Sequence, residues 1–269
     1  METCQFCRGI VRYQNGVIFS NFIRCTIESV KEDNTFKIIS GKEGNYGKCD
    51  SSDDGLDPVF HFPCSLSLLE DSLYIVDMSF HRIRKLDLKT GEASTIFLDM
   101  DVYFSYICVS DLGIFVIVNL RIKRIRKIDN VWIMEEFAGD NRKGYRNGKA
   151  LESSFESPTS LVYLNNMILV SDQESHVIRK IVDDKVTTLT EDVTSPQDMC
   201  LTDYGTLLVL ENHGKIKEVT IDGDVRVFDD YEDEEMEFRT ICISDNYIYR
   251  SHSKGIVRNP LPKLIKSAN

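Results

Sequence analysis

Short apolar runs recur along the chain, each closed by residues that favour turns. The stretches 65–69, 73–76, 160–164 and 168–171 are apolar or small. The run 114–118 is apolar throughout. Between them lie "EDS", "KTG", "LNN" and "VDDK", the polar and glycine-bearing clusters that reverse a chain. Runs of 4–8 residues bounded in this way predict strands rather than helices. Apolar residues occupy both alternating faces of many runs, so both faces are expected to be covered by protein. No apolar run reaches the roughly 18 residues that a membrane-spanning helix needs.

The runs belong to a repeat. "LYIVDMSFHRIRKLD" (73–87) matches "ILVSDQESHVIRKIV" (168–182): Asp77 with Asp172, His81 with His176, Ile83-Arg84-Lys85 with Ile178-Arg179-Lys180. Upstream, Pro63 precedes Asp77 by 14 residues, and Pro158 precedes Asp172 by 14. Both prolines follow an aromatic residue in F-x-x-P (Phe60, Phe155) and open P-x-S-L. A third copy runs from 114 to 129, with Asn119 read at the Asp position and Ile125-Arg126-Lys127 at its end. Weaker copies begin at 17, with Asn21 at the Asp position, at 207, with Glu211 there, and at 247. A period of roughly 40–55 residues is that of stacked or radial repeats.

Each unit reads as four strands: one after the proline, one ending at the Asp, one carrying I-R-K, and a short β-branched one (94–97, 186–189). Six four-stranded antiparallel sheets packed face to face around an axis cover both faces of every strand and leave only short edges. The predicted fold is therefore all-β, a six-bladed β-propeller forming one domain over residues 1–269. Its units lie near 4–41, 60–98, 105–138, 155–190, 196–229 and 238–266. An outer strand for the sixth unit is expected at 263–266, with the two ends of the ring meeting through side chains.

D-x-x-x-H-x-I-R-K after F-x-x-P, with glycine-bearing loops at 41–63 and 139–158, resembles the NHL-repeat family. The resemblance covers essentially the whole chain and implies a six-bladed propeller that serves as a binding platform. In the repeat, His81 and His176 are expected to hydrogen-bond Asp77 and Asp172.

Composition narrows the function. Formal net charge is -11, which opposes a general nucleic-acid or anionic-membrane partner. The eight cysteines in 269 residues are too sparse for a disulfide scaffold, and no basic-then-apolar leader opens the sequence. A cytoplasmic monomer is the expectation. Cys4 and Cys7 form a C-x-x-C, but they fall in the Phe and Pro slots of the first unit, and no second C-x-x-C completes a zinc site. Cys108, Cys200 and Cys242 fall on innermost strands as close-packed small residues.

His81, His176, His213 and His252 are all read between second and third strands. Similar six-bladed peptidylglycine lyases hold zinc with histidines. His213 and His252, which lack an Asp partner, are therefore the weak metal candidates here, and His61 reads as a loop residue. Lactonase-like propellers hold calcium with carboxylates and Asn in the channel; no such ligand set is identifiable in this sequence. The acidic stretch 229–238 lacks the alternating pattern of a calcium loop. "RIKRIRK" (121–127) carries five basic residues in seven.

No catalytic motif and no cofactor motif is present. The expected function is a non-catalytic interaction scaffold that presents loops and one face to a protein or peptide. Its candidate contact residues are Arg121, Lys123, Arg124, Arg142, Lys143, Tyr145 and Arg146. The alternative is a metal-dependent lyase or hydrolase with a site at the channel mouth; a weaker one is RNA binding through 121–127.

Overall fold

The computed structural model describes residues 7–43, 58–231, 233, 236–252 and 255–261. Their strands form six separate antiparallel sheets, meandering in chain order from the innermost strand outward, except that the fourth sheet adds at its outer edge a short strand that precedes its innermost one. The innermost strands are Cys7–Tyr13, Pro63–Leu69, Phe104–Ser110, Pro158–Leu164, Pro196–Leu201 and Phe238–Ile243. Each packs against the next in that order, and Cys7–Tyr13 packs against both Pro63–Leu69 and Phe238–Ile243, so the ring is closed. The fold is a six-bladed β-propeller, as the repeat predicts.

Six apolar clusters hold it, one at each blade interface. Ile18, Ile27 and Phe60 meet Leu66, Leu73 and Ile75 between the first two blades. Phe19 and Val30 meet Cys242 and Tyr249 where the sixth meets the first. This is why the strands are apolar on both faces: each sheet is sandwiched by two others. At the closing interface Ser251 donates to the Cys7 carbonyl at 3.1 Å, and Ser244 donates to Glu32 at 2.7 Å. Among the described residues no strand of one end joins a sheet of the other, so side chains make the seam. The sixth sheet shows three strands, and the outer strand expected at 263–266 lies outside the described residues.

The prolines mark the start of the second, fourth and fifth innermost strands. Pro63 pairs with Asp77, Pro158 with Asp172 and Pro196 with Glu211. Cys7 pairs with Asn21 in the same way, which confirms its repeat slot; Cys4 lies outside the described residues. Immediately after that first pair, the register shifts in all six blades. A bulge at this point puts an extra residue on the innermost strand and re-aims its side chain.

Three expectations need correction. In the third blade Val118, not Asn119, pairs with Phe104 and fills the Asp slot. Its turn to the next strand is only Asn119-Leu120, against four residues in the second blade, so Ile122 rather than Ile125 corresponds to Ile83. In the sixth blade His252 pairs with Phe238, so it fills the Asp slot itself instead of lying beyond it. And neither His81 nor His176 bonds its Asp. His81 Nδ1 bonds the Val102 carbonyl at 3.0 Å, and His176 Nδ1 accepts the Ser195 N–H at 2.8 Å. Both tie their turn to the chain entering the next blade. Their left-handed backbone (φ 52° and 55°) turns them away from the Asp.

Asp77 and Asp172 instead organise the entry to their own blade. Asp77 accepts the His61 N–H at 3.0 Å and Arg82 at 2.9 Å; Asp172 accepts the N–H groups of Glu156 and Ser157. Gly41 and Gly139 show the same economy on the outer strands. At φ +92° and +95°, a Cβ on either would lie 3.1 or 3.2 Å from the ring of Phe60 or Phe155.

Candidate functional site

The axial channel is where six sequences converge. Its third layer, the third residue of each innermost strand, is Gly9, Ser65, Tyr106, Ser160, Asp198 and Thr240. In this layer Ser65 Oγ accepts the Ile107 N–H of the next blade at 3.1 Å, and Ser160 Oγ accepts that of Met199 at 3.3 Å. Asp198 makes the same inter-blade bond, accepting the Ile241 N–H at 2.9 Å. It is a carboxyl in a slot that needs only a hydroxyl. The surplus oxygen accepts Tyr106 from the third blade and Ser160 from the fourth, both at 2.7 Å.

No cation answers this carboxyl among the described residues. Burial raises Asp198 above the ordinary carboxylate range, and the donated hydrogen bonds only partly oppose the shift. Burial, followed by the nearby Asp198, likewise holds the Tyr106 phenol far above its usual value. A carboxyl so placed exchanges its proton nearer neutrality than a surface one, which is the property of an acid–base group.

Tyr106 also lines a cavity of about 420 Å³ on the axis, walled by Ile107, Cys108, Cys200, Ile241 and Cys242. Its size is that of a small-molecule site, and its wall mixes apolar side chains with polar ones such as Tyr106, Tyr163 and Thr202. Burial pushes the Cys108 and Cys242 thiols up to about 12, so they present neutral S–H groups. The rim carries Arg12, which bonds Asp203 at 2.8 Å and also Asp245.

The other expected site residues lie away from this axis. Arg121 and Lys123 pair with Glu136 at 3.0 and 3.2 Å, and Arg124 and Arg126 pair with Glu135 at 2.6 and 2.9 Å. The basic run is thus answered by the adjacent outer strand Val131–Ala138 instead of forming an open positive stripe. Arg146 pairs with Asp140, Lys143 with Glu156, and the Tyr145 hydroxyl bonds Glu191. Arg142 is exposed beside them. This loop does not stand free: Gly148–Lys149 adds a fifth strand to the fourth sheet.

The described residues do not assemble a metal-ligand set. Among the described residues no three His, Cys, Asp or Glu side chains are placed to hold one. His81 and His176 are engaged with backbone as described. His252 is buried edge-on to Phe238, and His213 sits in the turn of its own blade. No step is therefore assigned to a metal.

Asp198 escaped the sequence reading, though a signal was present: P-x-S opens the second and fourth innermost strands, whereas P-x-D opens the fifth. Tyr106 left no such trace, because its reach across the channel depends on the ring.

No family model matches the sequence. No curated protein matches it either. Solved structures do match the fold. A gluconolactonase from Xanthomonas campestris aligns at TM-score 0.67 and 12% identity, covering 97% of this chain and 87% of that one. A catalytically inactive virginiamycin B lyase from Staphylococcus aureus, solved with quinupristin, aligns at 0.61 and 17%, covering 100% and 88%. An auxiliary nutrient binding protein from Bacteroides ovatus aligns at 0.59 and 11%, but this chain covers only 56% of its length. At these identities the likeness fixes the architecture. The expectation of a non-catalytic scaffold is corrected by these matches: a gluconolactonase and a lyase are among the propellers matched nearly end to end, so this fold does not by itself mark a non-catalytic protein. No helix among the described residues is long and apolar enough to cross a membrane.

Proposed function

We propose that the chain is a hydrolase or lyase acting on a small molecule in the axial channel, with Asp198 as its acid–base group. The observation that carries this is the Asp198–Tyr106 pair, a buried carboxyl with no cation on it among the described residues, bound at 2.7 Å to a phenol that lines the cavity. While Asp198 is ionised it holds the Tyr106 proton. Once protonated it releases that hydroxyl to donate into the cavity, and the phenol, held far above its usual value, stays protonated to do so. The full-length fold likeness to a gluconolactonase and a lyase supports this reading over a passive platform. We further propose that the repeat unit is of the NHL type, on the strength of F-x-x-P, Asp and Arg performing the same tasks in the second and fourth blades.

The test is a panel of lactones, carboxylic esters and eliminable substrates followed by proton release, with Asp198→Asn and Tyr106→Phe beside the wild type. General acid–base groups contribute about 10²–10⁴-fold, so each variant is expected to lose about 100-fold or more in kcat with unchanged circular dichroism. No turnover of any class, or turnover indifferent to both variants, overturns the reading.

A further inference from the structure

The six register shifts place one re-aimed residue per blade in the second layer of the innermost strands: Arg8, Cys64, Ser105, Thr159, Gln197 and Arg239. Two of these are arginines, and they stand on neighbouring strands, since Cys7–Tyr13 packs against Phe238–Ile243. We propose that Arg8 and Arg239 form a site for the carboxylate or phosphate group of a small anionic ligand, at the end of the axial channel that carries the bulges.

The charges argue for it. Among the described residues Arg8 has no carboxylate within ion-pair distance. Arg239 has only Glu237 at 3.0 Å, an exposed residue two positions away, and such a pair contributes little. The Nε atoms of both arginines are buried and have no hydrogen-bond partner. Burial, and after it the charge of Arg239, pulls the Arg8 guanidinium below its ordinary value. Two guanidiniums on neighbouring strands, without a buried carboxylate between them among the described residues, make an electrostatic deficit that an anion removes. The opposite end of the same strand shows the contrast: Arg12 there has two carboxylates of its own, Asp203 and Asp245.

The surroundings fit a bound head group rather than a freely solvated charge. Arg8 lies over the ring of Phe22 at 5.1 Å, which fixes its plane. Phe22 stacks on Phe62 at 4.4 Å, and Phe62 on His61 at 4.4 Å, making an aromatic shelf beside the arginines. A planar guanidinium so held presents a fork that suits an oxyanion. The layer below contains Asp198, so the anion site and the acid–base group are adjacent layers of one channel. The binding claim does not depend on that group being catalytic.

The experiment titrates the full chain with sodium benzoate, sodium acetate or inorganic phosphate, against sodium chloride at matched ionic strength. Heat of binding and melting temperature are read together. A saturable stabilisation by at least one oxyanion, absent with chloride and lost in both Arg8→Gln and Arg239→Gln, is expected. A benzoate effect larger than that of acetate identifies a carboxylate seated on the aromatic shelf, whereas a phosphate effect alone identifies a phosphate ligand. Should the variants fail to fold, phenylglyoxal labelling of the wild type decides: Arg8 and Arg239 should be modified in chloride and protected by the oxyanion. Equal shifts for all salts, persistence of the effect in both variants, or labelling indifferent to the anion overturns the proposal.

Discussion

Arg84 donates from Nη1 to the main-chain oxygen of Val59 at 2.6 Å, wholly within the protein. Arg179 repeats the bond to Ser154 at 3.1 Å, and each guanidinium lies over the aromatic ring of its own F-x-x-P, at 4.5 Å on Phe60 and 5.2 Å on Phe155. In the sixth blade the arginine has moved to the facing strand. Arg250 pairs with Val257 there, where Ile75 pairs with Arg84, and it still reaches Asp229 and Tyr231 of the incoming chain. The recurring arginine is thus a clamp on the connection between blades, and its service to the fold does not depend on which strand supplies it.

Arg84→Leu should therefore be among the most damaging single changes. It strands a buried carbonyl and removes a buried charge from beside Asp77, a loss of about 3 kcal/mol. Urea unfolding should show this as a lower midpoint. Lys127→Gln, at an exposed side chain near the end of its strand, should stay within about 0.5 kcal/mol. Equal midpoints for the two would remove the clamp from the account.

The pH dependence follows from Asp198. Its unfolded value is the ordinary 3.8, and its folded value is raised by burial. The fold therefore prefers the protonated form, so this group's contribution falls as pH rises above 3.8 and levels off beyond the folded value. Asp77 and Asp172, also raised by burial, act in the same direction. Unfolding free energies measured from pH 4 to 8 should decline less steeply in Asp198→Asn than in the wild type. An unchanged slope would show that Asp198 is not the group titrating.

The buried thiols should be nearly silent in the native state. Cys64, Cys108 and Cys242 are pushed up to about 12 by burial, so at pH 8 almost none is thiolate. Ellman's reagent should label them only slowly in the native protein, far below the rate of a surface thiol, and fully once the chain unfolds, because the reactive thiolate is scarce while they are buried. Prompt labelling of Cys108 or Cys242, read by mass spectrometry, would show that burial does not hold these thiols neutral.

Gly9→Ala should open the ring between the first two blades. A Cβ at this position would sit 2.2 Å from the Cys64 carbonyl and 2.8 Å from the Leu66 nitrogen, both backbone atoms that cannot swing aside. A loss of about 2 kcal/mol or more is expected, visible as a lowered melting temperature. Faster protease cleavage near residue 43 would locate the opening. A melting temperature equal to that of the wild type would mean the innermost strands can separate without cost.

The chain's own pattern determined the blades. Apolar runs four to eight residues long, the shared Pro-to-Asp spacing and the repeated I-R-K stretch are local features, and each is enough to place a strand and its turn. Six similar units, each apolar on both faces, then leave a closed ring as the arrangement that covers them. Where the local pattern is degenerate it does not fix the register. "RIKRIRK" contains I-R-K-like steps in two registers, and only the two-residue turn at Asn119 decides between them. The His–Asp bond failed for a similar reason, because sequence proximity does not give direction, and the left-handed backbone at His81 and His176 aims both rings at the next blade.

What the fold alone decided lies on the axis. Asp198, Tyr106 and Ser160 are as far apart as 92 residues in the chain, yet they share one carboxyl, because closing the ring brings the third residue of three innermost strands together. Arg8 and Arg239 are separated by nearly the whole sequence and are neighbours for the same reason. Pairings across a closed ring depend on the number of blades and on the register of each, and neither is written in any one unit.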